Sequence, residues 1–273
     1  MPQPIAPRPP QTRSPLARSP LPASTVGLPP LEPGYQAVLD QALEGLGLDL
    51  SPGAREAIAD QVRLLLAWNA AINLTAVRDP EAIAREHVVD SLTAAPVLRR
   101  LGPPTPSLLD LGSGAGYPGL PLGLALGARR VGLVESIGKK ARFLAAGVAA
   151  ARTALLAQGE VPVLFEVLAD RAETLAADPA QRGRWDFVTV RAVGPLERLV
   201  GLGFPFLQPG GYLVAWKRDA GDGRLRAELR IAAGAIEAAG GGPLRVEPVT
   251  VAGLEDHRLV IVARSRPVGD PPL

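Results

Sequence analysis

Four glycines fall within eight positions, at Gly112, Gly114, Gly116 and Gly119. They follow a short apolar run ending in Leu108-Leu109-Asp110-Leu111 and precede a second one, LPLGLALG. A buried strand, a tight turn and the start of a helix read in this way. Glycine at such a turn takes positive φ without a Cβ penalty and lets the backbone approach a ligand closely. Whatever this chain folds into must place that turn at the end of a buried strand. The rest of the chain is read outward from there.

Beyond Gly102-Pro103-Pro104 the pattern alternates strand and helix. Strands are predicted at 107–111, 130–135, 163–168, 185–190, 211–217, 244–249 and 257–263. Helices are predicted at 117–126, 138–157, 171–177, 195–207 and 222–239. Alternating units with crossover helices imply an α/β fold, a seven-stranded, mostly parallel, doubly wound sheet. Only the short stretch 250–256 separates the last two strands, so they are expected to form an antiparallel hairpin at one edge.

Residues 34–101 read as an N-terminal helical extension. Val38, Leu39, Ala42, Leu43 and Leu46 repeat at helical spacing, and Ser51-Pro52 is an N-cap followed by a first-turn proline. The second helix carries Ile58, Val62, Leu65, Leu66 and Trp68, the last read as core. Asp79-Pro80-Glu81 starts a third helix, through Ile83, His87, Val88 and Leu92 to about Pro96. Residues 1–33 are rich in proline and are expected to be a disordered tail. The sheet domain is assigned to 102–266, with a short tail over 267–273.

Composition removes several chemistries. The 273 residues contain no cysteine and two histidines, His87 and His257, which excludes thiolate nucleophiles and leaves no ordinary His-based metal site. No metal is expected, and any cofactor is organic. No apolar run is long enough to span a bilayer, and the N-terminus lacks the apolar core of a secretory signal. A cytoplasmic, monomeric protein with no membrane partner is the expectation. The formal net charge of +2 makes no case for nucleic acid by itself.

The ligand site is placed beyond the C-terminal strand ends. A dinucleotide fingerprint needs glycine at the sixth position counting Gly112 as the first, where Tyr117 stands. Glu135 ends the second strand, where a carboxylate can accept bonds from two ribose hydroxyls of NAD or S-adenosylmethionine alike. Glu173 and the backbone near Ala172 follow the third strand, an arrangement more typical of adenosylmethionine sites. Arg191 directly follows the fourth strand and faces the same crevice, where its fork suits a carboxylate or a phosphate. Lys139, Lys140 and Arg142 open a helix, against its dipole, and with Lys217 they form a basic rim suited to RNA phosphates. An NAD-dependent oxidoreductase, a small-molecule methyltransferase and a non-enzymatic RNA-binding module are the competing readings.

Taken together these segments resemble the bacterial small-subunit ribosomal RNA guanine-N7 methyltransferases, also called the glucose-inhibited division protein B family. The resemblance runs over roughly residues 35–264. It is carried by WNAAINLTAVRDP, HVVDS, LLDLGSGAGYPGLPL, ESIGKKARFL, VRAVGPL, LVAWKR and HRLVIVAR. It implies a Rossmann-like class I methyltransferase fold, S-adenosyl-L-methionine as methyl donor and a guanosine of small-subunit (16S) rRNA as acceptor. By matched position it puts cofactor contacts on Gly112, Tyr117, Ala172, Glu173 and Arg191; the physical reading adds Gly114 and Glu135. Guanine N7 has a lone pair and no proton to lose, so no catalytic acid or base is assigned. His87 and Asp90 are expected to brace the helical extension against the sheet.

Overall fold

The computed structural model describes residues 21–265. The extension begins with α1 (Pro33–Leu46) and α2 (Pro52–Ile72). Ser51 caps α2, its Oγ accepting from the Ala54 N–H, and Pro52 sits in the first turn, where a missing N–H costs nothing. Asp79 repeats this at α3 (Pro80–Ile83) by accepting from the Ala82 N–H. The third helix is not the single run expected. It passes through a π-helical segment, Ala84–Val89, into α4 (Asp90–Leu92), and a new helix α5 (Ala95–Leu101) follows. Pro96 therefore opens a helix rather than closing one.

The sheet comprises β1 (Ser107–Leu111), β2 (Arg130–Val134), β3 (Leu164–Leu168), β4 (Trp185–Arg191), β5 (Leu207–Arg218), β6 (Gly241–Pro248) and β7 (His257–Arg264). The crossovers hold α6 (Gly119–Ala125), α7 (Gly138–Ala157), α8 (Ala172–Ala177), α9 (Leu196–Gly203) and α10 (Arg224–Ala238). Strand order is β3-β2-β1-β4-β5-β7-β6. The first five strands are parallel, and β7 runs antiparallel to both β5 and β6. The expected hairpin is present, with β6 outermost. The helix expected over 195–207 stops at Gly203; a short 3-10 turn, Phe204–Phe206, leads into β5, whose Leu207 pairs with Trp185.

Period-2 alternation sends neighbouring residues to opposite faces. Leu108, Val131, Leu133, Phe187, Val214 and Ile261 face α6, α7 and the extension. Leu109, Val134, Val188, Val190, Leu213 and Val262 face α9 and α10. The extension shares the first core, so it is a covering layer of the sheet. Trp68 is core, its ring edge-on to Phe143 of α7 at 5.6 Å. Gly53 N–H and Ser51 Oγ both donate to Glu160, just past α7, tying the start of α2 to that end.

The tail expected over 1–33 needs correction where it is described. Leu21, Leu28 and Leu31 pack on the core. Arg63 of α2 donates to the carbonyls of Thr25, Leu28 and Pro29, and Trp68 Nε1 donates to Pro22 O. One guanidinium and one indole thus hold 21–32 against α2 despite its proline content. Residues 1–20 and the expected C-terminal tail over 267–273 lie outside the described residues. No helix among the described residues is long and apolar enough to cross a membrane.

Candidate active site

The glycine turn leaves β1 at the centre of the sheet. Gly112, Gly114 and Gly116 take φ of 71°, 57° and 86°. Ser113 fixes the turn: its N–H donates to Val134 O, its Oγ to Asp110 O, and its carbonyl accepts from the N–H groups of Gly116 and Tyr117. A Cβ on Gly112 would lie 2.9 Å from Val193, and one on Gly116 would lie 2.5 Å from the Gln61 amide. Asp110 lies buried beneath, accepting from Thr189 Oγ1 at 2.9 Å and the Gly119 N–H at 3.2 Å. Burial pushes its carboxyl up to about 6, against the pull of those hydrogen bonds.

Beside this turn the ends of β1, β2 and β4 and the start of α8 enclose a cleft of about 170 Å³. Gly112, Glu135, Asp170, Ala172, Glu173 and Arg198 are among its walls. Glu135 is buried, and both of its oxygens are anchored: Oε2 accepts from Gly114 N–H at 3.0 Å and Oε1 from Ile137 N–H at 2.8 Å. Each oxygen keeps a second lone pair, so the carboxylate is preset to receive two hydroxyls. Glu173 is exposed, held below the usual carboxylate range by its own backbone N–H and by Arg198, whose Nη2 lies 3.3 Å away. A nucleoside with a free ribose diol suits this donor and acceptor set.

Five of the seven residues expected to bind cofactor therefore converge: Gly112, Glu135, Ala172 and Glu173 line the cleft, and Gly114 reaches it through its bond to Glu135. Tyr117 does not line it. Its ring is buried, 5.3 Å from the His87 ring. Arg191 lines a neighbouring cleft of about 430 Å³, with His87, Asp90, Trp216, Lys217 and His257. Its Nη1 donates to Asp90 Oδ2 at 2.9 Å and to Glu86 O at 3.0 Å, and its guanidinium lies 5.8 Å from the Tyr117 ring centre. Both bonds use Nη1, leaving Nε and Nη2 for an incoming anion.

Asp90 is the hub of this second cleft. Its other oxygen meets His257 Nδ1 at 2.7 Å, and its carbonyl accepts from Trp216 Nε1 at 2.9 Å. One residue of the extension thereby grips β4, β5 and β7. The bracing expected of Asp90 is present, but His257 was not anticipated, because 167 positions separate the two and no spacing rule links them. His87 braces locally instead, its Nε2 lying 2.7 Å from Thr75 Oγ1. Burial lowers its tendency to protonate, and Arg191 adds to this.

The basic rim divides. Lys139 and Arg142 are exposed and Lys140 half-exposed at the start of α7, and none has an ion-pair partner among the described residues. Lys217 departs from expectation. Its ammonium donates to Gly194 O at 2.7 Å and Glu228 Oε1 at 2.6 Å, with little exposure. It positions the turn after β4. Glu228 lies on α10, too far along the chain for sequence spacing to reveal the pair.

A family model described as rRNA small subunit methyltransferase G matches residues 54–233. The chain is 40% identical over 222 residues to a ribosomal RNA small subunit methyltransferase G of Roseiflexus sp. (strain RS-1), covering 81% of this chain and 88% of that protein. Its counterpart in Deinococcus deserti is 39% identical over 241 residues, 88% of this chain and 92% of that protein. Among solved structures, Aeropyrum pernix fibrillarin in complex with natively bound S-adenosyl-L-methionine aligns with a TM-score of 0.45 and 17% identity, covering 63% of this chain and 73% of that one.

Proposed function

The chain belongs to the rRNA small subunit methyltransferase G family, and we propose on that premise that it methylates N7 of a guanosine in small-subunit (16S) ribosomal RNA, with S-adenosylmethionine as donor. The observation that carries the cofactor is Glu135, buried and anchored on both oxygens beside the glycine turn and the Ala172-Glu173 backbone. Bound there, S-adenosylmethionine supplies an electrophilic sulfonium methyl.

The chain's own residues then hold and orient. Glu135 accepts the two ribose hydroxyls. The Ala172 backbone and Glu173 meet the adenine edge, and Gly112 and Gly114 leave the backbone open to close approach. Arg191 offers Nε and Nη2 to the cofactor carboxylate while Nη1 stays on Asp90. The attacking nitrogen carries no proton, so no side chain needs to act as base. Rate enhancement comes from alignment and from stabilising charge as it moves onto the base. Lys139, Lys140 and Arg142 meet RNA phosphates along the rim. The protein acts as a cytoplasmic monomer, on rRNA free or within the small subunit.

The test is tritiated methyl transfer to rRNA and to 30S subunits, with primer extension after cleavage at N7-methylguanosine. A single new stop that depends on the enzyme is expected. Binding of NADH without binding of S-adenosylhomocysteine would overturn the reading. Arg191→Ala is expected to weaken cofactor binding or turnover by tenfold or more, and wild-type kinetics would remove Arg191 from the site.

A further inference from the structure

His257 is a wall of the second cleft and is 7% exposed. Its Nδ1 meets Asp90 Oδ1 at 2.7 Å. A carboxylate only accepts, so Nδ1 carries the hydrogen, and the neutral ring then presents Nε2 as a bare acceptor. That Nε2 is buried without a hydrogen-bond partner among the described residues. Asp256 Oδ1 stands 3.7 Å away, beyond hydrogen-bond reach. A buried acceptor left unpaired is costly, and a ligand that brings a donor recovers that cost.

The turn after β4 is the partition between the two clefts. Val190 and Val193 line the first, Arg191, Ala192 and Gly194 the second, and Leu199 both. Ala192 takes a φ of 58°, left-handed backbone that a residue with a Cβ seldom adopts and that gathers at ligand sites. Asp90 holds Arg191 on one oxygen and His257 on the other, so the cofactor-facing cation and the bare acceptor are fixed to one side chain. We propose that the second cleft takes the acceptor guanine and that His257 Nε2 reads its Watson–Crick edge by accepting the N1–H. This deepens the proposed function and rests on guanine N7 being the acceptor. Enzymes that act on a base extruded from its stack commonly read it at that edge. N7 belongs to the other ring of the purine, so this contact leaves it free to attack. Adenine has a lone pair at N1 and would set acceptor against acceptor. Methylation puts positive charge on the purine and strengthens N1–H as a donor, so the bond tightens as the methyl is transferred.

Methyl transfer by the full chain to small-subunit rRNA tests this, with either guanosine or 2-aminopurine, which lacks N1–H, at the methylated position. His257→Asn keeps an N–H for Asp90 and puts nothing at Nε2. It should keep the wild-type Tm and affinity for S-adenosylhomocysteine while kcat/KM on guanosine falls by roughly 10–100-fold. The ratio of guanosine to 2-aminopurine rates should shrink by the same factor, because the base substitution then removes a contact already lost. His257→Gln puts an amide oxygen near Nε2 and gives up the Asp90 bond, so it should be less stable yet keep most of the ratio. A ratio unchanged in His257→Asn overturns the proposal and leaves His257 a brace alone. A ratio lost in His257→Gln and kept in His257→Asn does the same. A wild-type chain that methylates no guanine N7 in rRNA would instead refute the acceptor assignment itself, and this proposal with it.

Discussion

Replacing Asp90 by alanine should be among the most costly single changes in this protein. The carboxylate side chain is 2% exposed and serves two donors, Arg191 Nη1 at 2.9 Å and His257 Nδ1 at 2.7 Å. Removing one member of a buried ion pair costs roughly 3–5 kcal/mol, because the other charge is left buried without its partner. The Arg191 side chain is 18% exposed and can rehydrate in part, which favours the lower end of that range. His257 is more enclosed, and a buried ring nitrogen stripped of its acceptor costs about 1–3 kcal/mol. The two share one carboxylate, so the losses overlap; about 3–4 kcal/mol is expected, or roughly 6–16 °C in Tm for a domain of this size. The Trp216 bond survives, because it goes to the Asp90 main-chain carbonyl. Asp90→Asn keeps the volume and one acceptor oxygen, and the His257 tautomer can adjust to the new amide. Its cost should be about 1–2 kcal/mol. Urea unfolding with calorimetry checks the order, and a double-mutant cycle with Arg191→Met should return a coupling above about 1 kcal/mol. A loss below about 1 kcal/mol for Asp90→Ala, the range of an exposed pair, would refute the bracing role.

Three further outcomes follow from the geometry. Asp110 ionises at about 6 in the fold because it is buried, above the ordinary carboxylate value. Its proton is thus lost more readily on unfolding, so stability contributed by the neutral acid falls as pH rises from about 4 to 6, by about 3 kcal/mol in all. Asp110→Asn should flatten that part of the stability–pH curve, and an unaltered curve would show that Asp110 is not the group. Gly116→Ala combines a φ of 86° with a Cβ 2.5 Å from the Gln61 amide that donates to Ala115 O, and should lower the urea-derived stability by about 2–3 kcal/mol; a loss under about 0.5 kcal/mol would contradict the tight approach. Lys217→Met should destabilise by about 1–3 kcal/mol through Gly194 O and Glu228, while leaving the salt slope of rRNA binding intact; a slope reduced by about 1 would return Lys217 to the RNA surface.

Local rules account for what could be read along the chain. The Ser51-Pro52 and Asp79-Pro80 starts, the strand at Ser107–Leu111 and the helix at Gly138–Ala157 all rest on contacts within a few residues. The glycine turn, and Glu135 at the end of β2, could be placed for the same reason: strand ends converge in an open α/β sheet whatever the details. The π segment at Ala84–Val89 could not, because residues on either side of it have ordinary helical spacing and only packing selects the wider turn.

The amino-acid sequence by itself therefore determined most of the element types, the sheet class, the glycine turn after the first strand and the family. Tertiary structure alone decided which polar groups are already occupied. Lys217 looked free and is paired with Glu228; Arg191 looked free and gives Nη1 to Asp90; residues 21–32 looked like tail and are held by Arg63 and Trp68. Periodicity and capping are set by neighbours in the chain. A charge's partner is set by whichever distant segment the fold folds against it, as His257 is brought to Asp90 across 167 positions. The glycine turn was legible because it depends on its own backbone, and the braces around it were not because they depend on everyone else's.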